Sequence, residues 1–249
     1  MATLASQVIL HPLVSQGLRF GSTTLGRDKT YRALQYLARF LAWYLVTKGQ
    51  NLEAARWAAL KVHLATARKL MRLGKPLEHL QAALRASLTS APSLEQITTI
   101  SRQVGYFGYL AYDSIVWASA IKFLNLNPDT TKRVAKISNR FWLAGILFSI
   151  THSVLKIVRL NAEVHKLQAS KKWSEKDLGE ETQREAKLSA VQTSKAVTRQ
   201  QLIVDVLDIW IPATGADVVT VNEGTLGVFG FITSVIGMST QWKASQTKP

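Results

Sequence analysis

The sequence predicts an all-α fold: a membrane-associated bundle of amphipathic helices with at least one C-terminal transmembrane helix. Three observations predict it. Apolar residues recur at three- and four-residue spacing along most of the 249 positions, and strand-like alternation is nearly absent. Short Gly, Pro and Asn breaks cut the chain into helical lengths. Residues 225–242 hold no charged side chain across 18 positions.

Composition narrows the partners. Lys and Arg number 31 against 16 Asp and Glu, a formal net charge of +15. Such a surplus implies an anionic partner: nucleic acid, anionic lipid or acidic protein. It is uneven, with 14 basic and 4 acidic residues in 1–104 but 2 and 4 in 200–249. The basic character therefore coincides with the amphipathic stretches. There is no cysteine, which excludes disulfides, thiolate metal sites and cysteine nucleophiles. The N-terminal MATLASQVIL lacks the basic region and small-residue cleavage site of a signal peptide, so an internal segment is expected to lead the chain to a membrane. Phosphate-binding glycine loops, paired-His helix motifs and nucleophile elbows are missing. His11, His63, His79, His152 and His165 are scattered, none at metal-ligand spacing. Neither an enzyme nor a cofactor or metal site is expected. A nucleic-acid partner is disfavoured by the uncharged C-terminal run and by the lack of a binding module.

The elements follow in order. Residues 3–20 read as a short helix with Pro12 inside it, kinked or starting late there. Residues 21–26 read as a turn, and Asp28 opens a helix to about Val46, where its charge suits the N-terminus. Arg27-Asp28-Lys29 there reads equally as a capping cluster and as a contact for lipid phosphates. Residues 48–51 break the chain before a basic helix from about Leu52 to Leu73. Lys61, Arg68, Arg72 and Lys75 fall within roughly 60° of one another at about 100° per residue. Leucines take the other faces. A cationic stripe beside an apolar face suits an anionic lipid surface, and it equally suits a core-packed helix with a solvated side. Gly74-Lys75-Pro76 marks a helix end followed by a helix-starting proline. The next helix carries a seam of Leu77, Leu80, Leu84 and Leu88, ended by residues 90–93. Residues 1–92 thus form a basic amphipathic unit.

Residues 93–160 read as an apolar helical hairpin, partly embedded in a membrane. Asp113, amid aromatic and branched residues with Trp117 one turn on, requires a partner there. A buried ion pair with an arginine and a place on a proton or solute path are the two readings. The uncharged run 141–155 is short for a crossing, which needs about 20 residues. Residues 161–200 read as a charged helical and loop insert outside any membrane. Residues 201–249 hold the C-terminal helix and the expected span, 225–242, where Gly227, Gly230 and Gly237 suit close helix contact and self-association. A buried glycine-rich hairpin is the alternative.

Several of these segments resemble one family. Gly26-Arg27-Asp28-Lys29-Thr30-Tyr31-Arg32 resembles the opening of the peroxin-11 family of peroxisomal membrane proteins. Residues 67–75 resemble its central basic motif, and residues 106–117, with Asp113 and Trp117, its aromatic Asp-x-x-x-Trp segment. Asp205-Val206-Leu207-Asp208, Ile211-Pro212 and the glycine-rich end also fit, and the charged insert is similar to fungal-type members. The resemblance implies a helical protein of the peroxisomal membrane with both ends cytosolic. It implies a homo-oligomer that inserts an amphipathic helix into the cytosolic leaflet, elongates the membrane and promotes fission with a dynamin-related GTPase and its membrane receptor. Carried onto this chain, Lys61, Arg68, Lys69, Arg72, Lys75 and Arg85 would meet the phosphates of anionic lipids. Leu70, Leu73, Leu77, Leu80, Leu84 and Leu88 would enter the acyl region. Gly74-Lys75-Pro76 leaves insertion as one rod or as two pieces open. A pore passing small metabolites, with Asp113 on its path, is the alternative function the resemblance keeps.

Overall fold

The computed structural model describes residues 4–90, 92–169 and 178–246. Regular structure among the described residues is helical throughout, in ten helices. The expected 3–20 helix is two: α1 (Leu4–Ile9) and α2 (Pro12–Ser22). Pro12 starts the second, with the His11 ring accepting the Leu13 N–H at 3.2 Å. The expected 21–26 turn shrinks to Thr23, whose hydroxyl accepts the Gly26 N–H at 3.0 Å and caps α3 (Thr24–Thr47). Asp28 therefore lies inside the helix and is released from capping. Helix α4 (Asn51–Leu70) stops three residues short of the expected Leu73, because residues 71–74 form a turn ahead of Pro76. Helix α5 (Lys75–Ser87) then carries the leucine seam as a separate short piece.

Helix α6 (Ser93–Ala120) and α7 (Pro128–Ala169) form the central hairpin, followed by α8 (Leu178–Asp208), α9 (Trp210–Gly215) and α10 (Glu223–Gln246). Part of the charged insert at 161–200 falls outside the described residues. Two crossings set the bundle: α6 packs on α7 and α10 on α3, while α4 lies on α3 and α5 on α6. Both crossings are glycine-lined. A Cβ on Gly105 would sit 2.7 Å from the Gly145 Cα, and one on Gly227 would sit 2.7 Å from the Phe40 backbone nitrogen. Neither contact tolerates a side chain. Gly230 meets the Tyr36 ring as tightly, while Gly237 faces the flexible Lys29 stem, 3.1 Å from where a Cβ would stand. The glycines expected to draw copies together are thus spent within one chain, on α3.

The bundle leaves much of its apolar surface uncovered. The buried cluster is small, centred on Tyr36, Ile211 and Leu226 with Trp142, Val221 and Phe231 against it. Large apolar side chains stand exposed on α6, α7 and α10, among them Leu147, Phe148, Val158 and Ile232. Among the described residues, the helix long and apolar enough to cross a membrane is α7, and only 22% of its 18-residue apolar stretch is buried. A soluble core helix would be mostly buried, so α7 presents its apolar length outward. The expected crossing at 225–242 instead lies in α10, with its small-residue face turned onto α3. The uncharged 141–155 run, too short alone, is the middle of the 42-residue α7.

Candidate functional site: clamped cations and an exposed leucine ridge

The cationic stripe meets protein, not solvent. Arg68 Nε donates to Asp28 Oδ1 of α3 at 3.0 Å, and its Nη1 to Gln35 Oε1 at 2.7 Å. Lys69 Nζ and Arg72 Nη2 grip the two oxygens of Asp113 on α6, at 2.6 and 3.0 Å. Arg72 Nη1 also donates to the Tyr109 hydroxyl at 2.8 Å. Arg68 and Asp28 are buried, as is Asp113. Asp113 has the buried ion pair, with a lysine and an arginine together; Trp117 is half-buried one turn along α6. A second clamp joins α3 to the C-terminal helices. Arg32 Nη2 donates to both Asp208 oxygens at 2.7 Å, and Thr233 accepts from Arg32 Nη1 at 3.0 Å while donating to Asp208 at 2.7 Å. Lys61 reaches Glu223 at 3.4 Å, beside the tighter Arg39–Glu223 pair at 2.6 Å. The stripe turns inward because its carboxylate partners lie on neighbouring helices, and a buried charge must be paired.

Of the residues expected to meet phosphates, Arg68, Lys69 and Arg72 are therefore engaged inside the bundle, and Lys61 is shared with Glu223. Lys75 is half-buried and Arg85 is exposed. Arg32, Asp208, Thr233 and Glu223 complete the network and were not among the expected site residues. No local signal marks them, since Arg32 meets Asp208 and Arg39 meets Glu223 across 176 and 184 residues of chain.

The expected acyl-facing leucines do face outward. Leu77, Leu80, Leu84 and Leu88 are 71%, 40%, 60% and 87% exposed. They form one ridge within roughly 80° on the α5 wheel. Leu70 and Leu73 are also exposed just before it. The opposite side of α5 is fastened to α6 through buried Ala83 and the His79 Nδ1 contact with Gln103 Oε1 at 2.7 Å.

Burial alone would raise the Asp28 carboxyl, but the guanidinium groups of Arg68 and Arg72 and the Lys29 ammonium outweigh it and hold it below its usual value. Hydrogen bonding and attraction from Arg39, with Lys61, lower Glu223 as well. Burial pushes Asp205 the other way, upward. A carboxylate lowered in the fold stabilises it above its unfolded pKa, and that stability is lost as pH falls through the folded value. Melting temperatures of the detergent-solubilised chain should hold steady down to about pH 5 and drop below about pH 4. Asp28→Asn should melt lower at neutral pH and show a shallower acid drop than the wild type. Because the Asp205 contribution is common to both proteins, their difference isolates Asp28.

Between α3, α4, α6, α7, α8 and α10 opens a cavity of about 690 Å3, lined by these clamps and by Lys29, Tyr106, Gln201 and Asp205.

Comparison with known proteins agrees with the architecture. The family model described as Peroxisomal biogenesis factor 11 (PEX11) matches residues 14–242. Peroxisomal membrane protein PMP27 of Saccharomyces cerevisiae is 28% identical over 240 residues, 96% of this chain and 98% of that one. Peroxisomal membrane protein PMP30A of Candida boidinii is 27% identical over 253 residues, covering 96% and 98%. Peroxisomal membrane protein 11A of Mus musculus is 23% identical over 236 residues, covering 90% and 94%. No solved structure matches. The family is named for peroxisome biogenesis and not for a reaction. With a match over nearly its whole length and an outward-facing apolar helix, the chain belongs to the peroxisomal biogenesis factor 11 family and is a protein of the peroxisomal membrane.

Proposed function

We propose that the chain lays the α5 leucine ridge into the cytosolic leaflet of the peroxisomal membrane and, gathered in many copies, elongates that membrane ahead of fission. The observation that carries this reading is the unpartnered row Leu77, Leu80, Leu84 and Leu88 on a helix whose other side is fastened to α6. Each leucine taken fully out of water contributes roughly 1.5–3 kcal/mol. Arg85, exposed beside the ridge, is placed for lipid phosphate, and such a contact near an anionic surface contributes about 1 kcal/mol. Insertion is then driven mainly by apolar burial, with anionic lipid an aid. It uses α5 as a separate piece, because the turn at 71–74 uncouples it from α4. A wedge in one leaflet expands that leaflet alone and bends it outward. One short helix bends little, so the chain acts as a homo-oligomer, with self-contact on faces other than the glycine face of α10. The elongated membrane is the substrate on which a dynamin-related GTPase and its receptor complete fission.

In cells deprived of their own family member, the wild-type chain should restore elongated peroxisomes. The Leu80→Asp/Leu84→Asp variant should leave them round while still sedimenting with membranes, since α7 is untouched. Elongation by that variant at the wild-type level would overturn the reading. A pore is the second reading, and the interior cavity is what favours it. Asp113 is held by two cations within that cavity. Solute flux through the reconstituted chain, lost on Asp113→Asn with elongation intact, is the result that would support it.

A further inference from the structure

The interior cavity carries more positive charge than its own carboxylates answer. Seven lysine and arginine side chains line it, against four aspartates. Arg32, Arg68, Lys69 and Arg72 are taken by Asp208, Asp28 and Asp113, and Arg39 is taken by Glu223. The fourth lining aspartate, Asp205, is occupied by hydroxyl and amide donors: Ser149 at 2.6 Å and Gln201 at 2.8 Å. Lys29 is left over. Its ammonium lies within electrostatic range of Asp28 and Asp208, yet it forms no hydrogen bond or ion pair among the described residues. The facing residue of α10 is Gly237, where a Cβ would come 3.1 Å from Lys29 Cδ. The missing side chain gives the lysine stem room beside the cavity.

We propose that this cavity is an anion-binding site, in which Lys29 is the ligand-seeking cation for a phosphate- or carboxylate-bearing molecule. An unpaired cation held partly out of water is costly, and a bound anion is what relieves that cost. The ammonium shows the cost already, since burial pushes it down to about 8. The volume, about 690 Å3, lies within the range of small-molecule sites. The anion comes either free from the aqueous phase or as the headgroup of a lipid entering between helices. The site is independent of leaflet insertion by α5, so either can fail without the other.

The test uses the full chain reconstituted in phosphatidylcholine vesicles at constant ionic strength. One arm adds inorganic phosphate in exchange for chloride. The other replaces part of the lipid with phosphatidic acid and omits phosphate. Melting temperature, followed by circular dichroism, is read against probe concentration for wild type, Lys29→Met and the exposed-site control Lys48→Met. A saturable rise in the wild type and in Lys48→Met is expected. In Lys29→Met the apparent affinity should fall roughly tenfold or more, the scale of one charge-assisted hydrogen bond. Without probe, Lys29→Met should melt no lower than wild type, because removing an unpaired, half-buried cation relieves strain. A rise with phosphate assigns a free anion, and one confined to phosphatidic acid assigns a headgroup. Should Lys29→Met misfold, Gly237→Ala, which crowds the Lys29 stem, should weaken the response instead. No saturable rise with either probe, or equal affinity in wild type and the folded variants, overturns the site.

Discussion

Replacing Asp113 by alanine should destabilise the folded chain by about 3–5 kcal/mol, the range for removing one partner of a buried ion pair. The loss is large because two cations depend on one carboxylate: Lys69 at 2.6 Å and Arg72 at 3.0 Å, in a cluster little open to solvent. Alanine leaves Lys69 without its carboxylate and Arg72 with only the Tyr109 hydroxyl and the Arg68 carbonyl. It also unfastens residues 69–72 from α6, so the turn leading into α5 should loosen. Denaturant melts of the solubilised chain measure the first effect, and amide exchange across residues 70–76 the second. A triple change, Asp113→Ala with Lys69→Met and Arg72→Leu, should recover much of the stability, because apolar replacement of a whole buried ionic cluster is often neutral or better. If Asp113→Ala were as stable as wild type, the clamp would be incidental.

Arg68→Glu should be comparably severe. It sets two carboxylates side by side where Asp28 now accepts from Arg68 at 3.0 Å, with both positions buried. Asp28→Arg on its own should also be severe, since it crowds Lys29, Arg32 and Arg68 together. The exchanged pair, Asp28→Arg with Arg68→Glu, should be more stable than the two single changes predict by about 1–3 kcal/mol, the coupling expected of contacting residues. Recovery stays incomplete because an arginine at 28 still adjoins Lys29 and Arg32. The experiment separates two views of the stripe. Were Arg68 a lipid ligand, Arg68→Glu would keep the wild-type melting point and lose vesicle binding in proportion to anionic lipid.

The fate of that stripe shows where sequence reading reaches and where it stops. Helical periodicity and Gly/Pro punctuation fix α3 to α6 closely, because those signals are local. The leucine ridge of α5 was equally legible: its four residues share one face, and that face is the exposed one. The direction of the cations was not. A wheel shows which residues share a face and is silent on what that face meets. The partners lie 40 to 44 residues away in the chain, for Asp28 and Asp113. The same holds for α10. Small residues announce close approach of two helices, but whether the second helix belongs to the same chain depends on how α3 folds back. Here Phe40 and Tyr36 fill the place a second copy would have taken. The length of α7 was hidden for a further reason. Freedom from charge drew attention to 225–242, while the 42-residue α7 combines an apolar middle with polar ends that obscure it in the sequence.

Because the chain has no cysteine, a nitroxide can be carried in turn at each position from 76 to 88 of the full protein in vesicles. Oxygen accessibility, high in the acyl region, should rise and fall with the helical period and peak at positions 77, 80, 84 and 88, with minima at 79 and 83. The peaks should persist in vesicles of neutral lipid. A flat profile, equal access of a water-soluble relaxant to all positions, or peaks that vanish without anionic lipid would contradict insertion of α5 by its leucines.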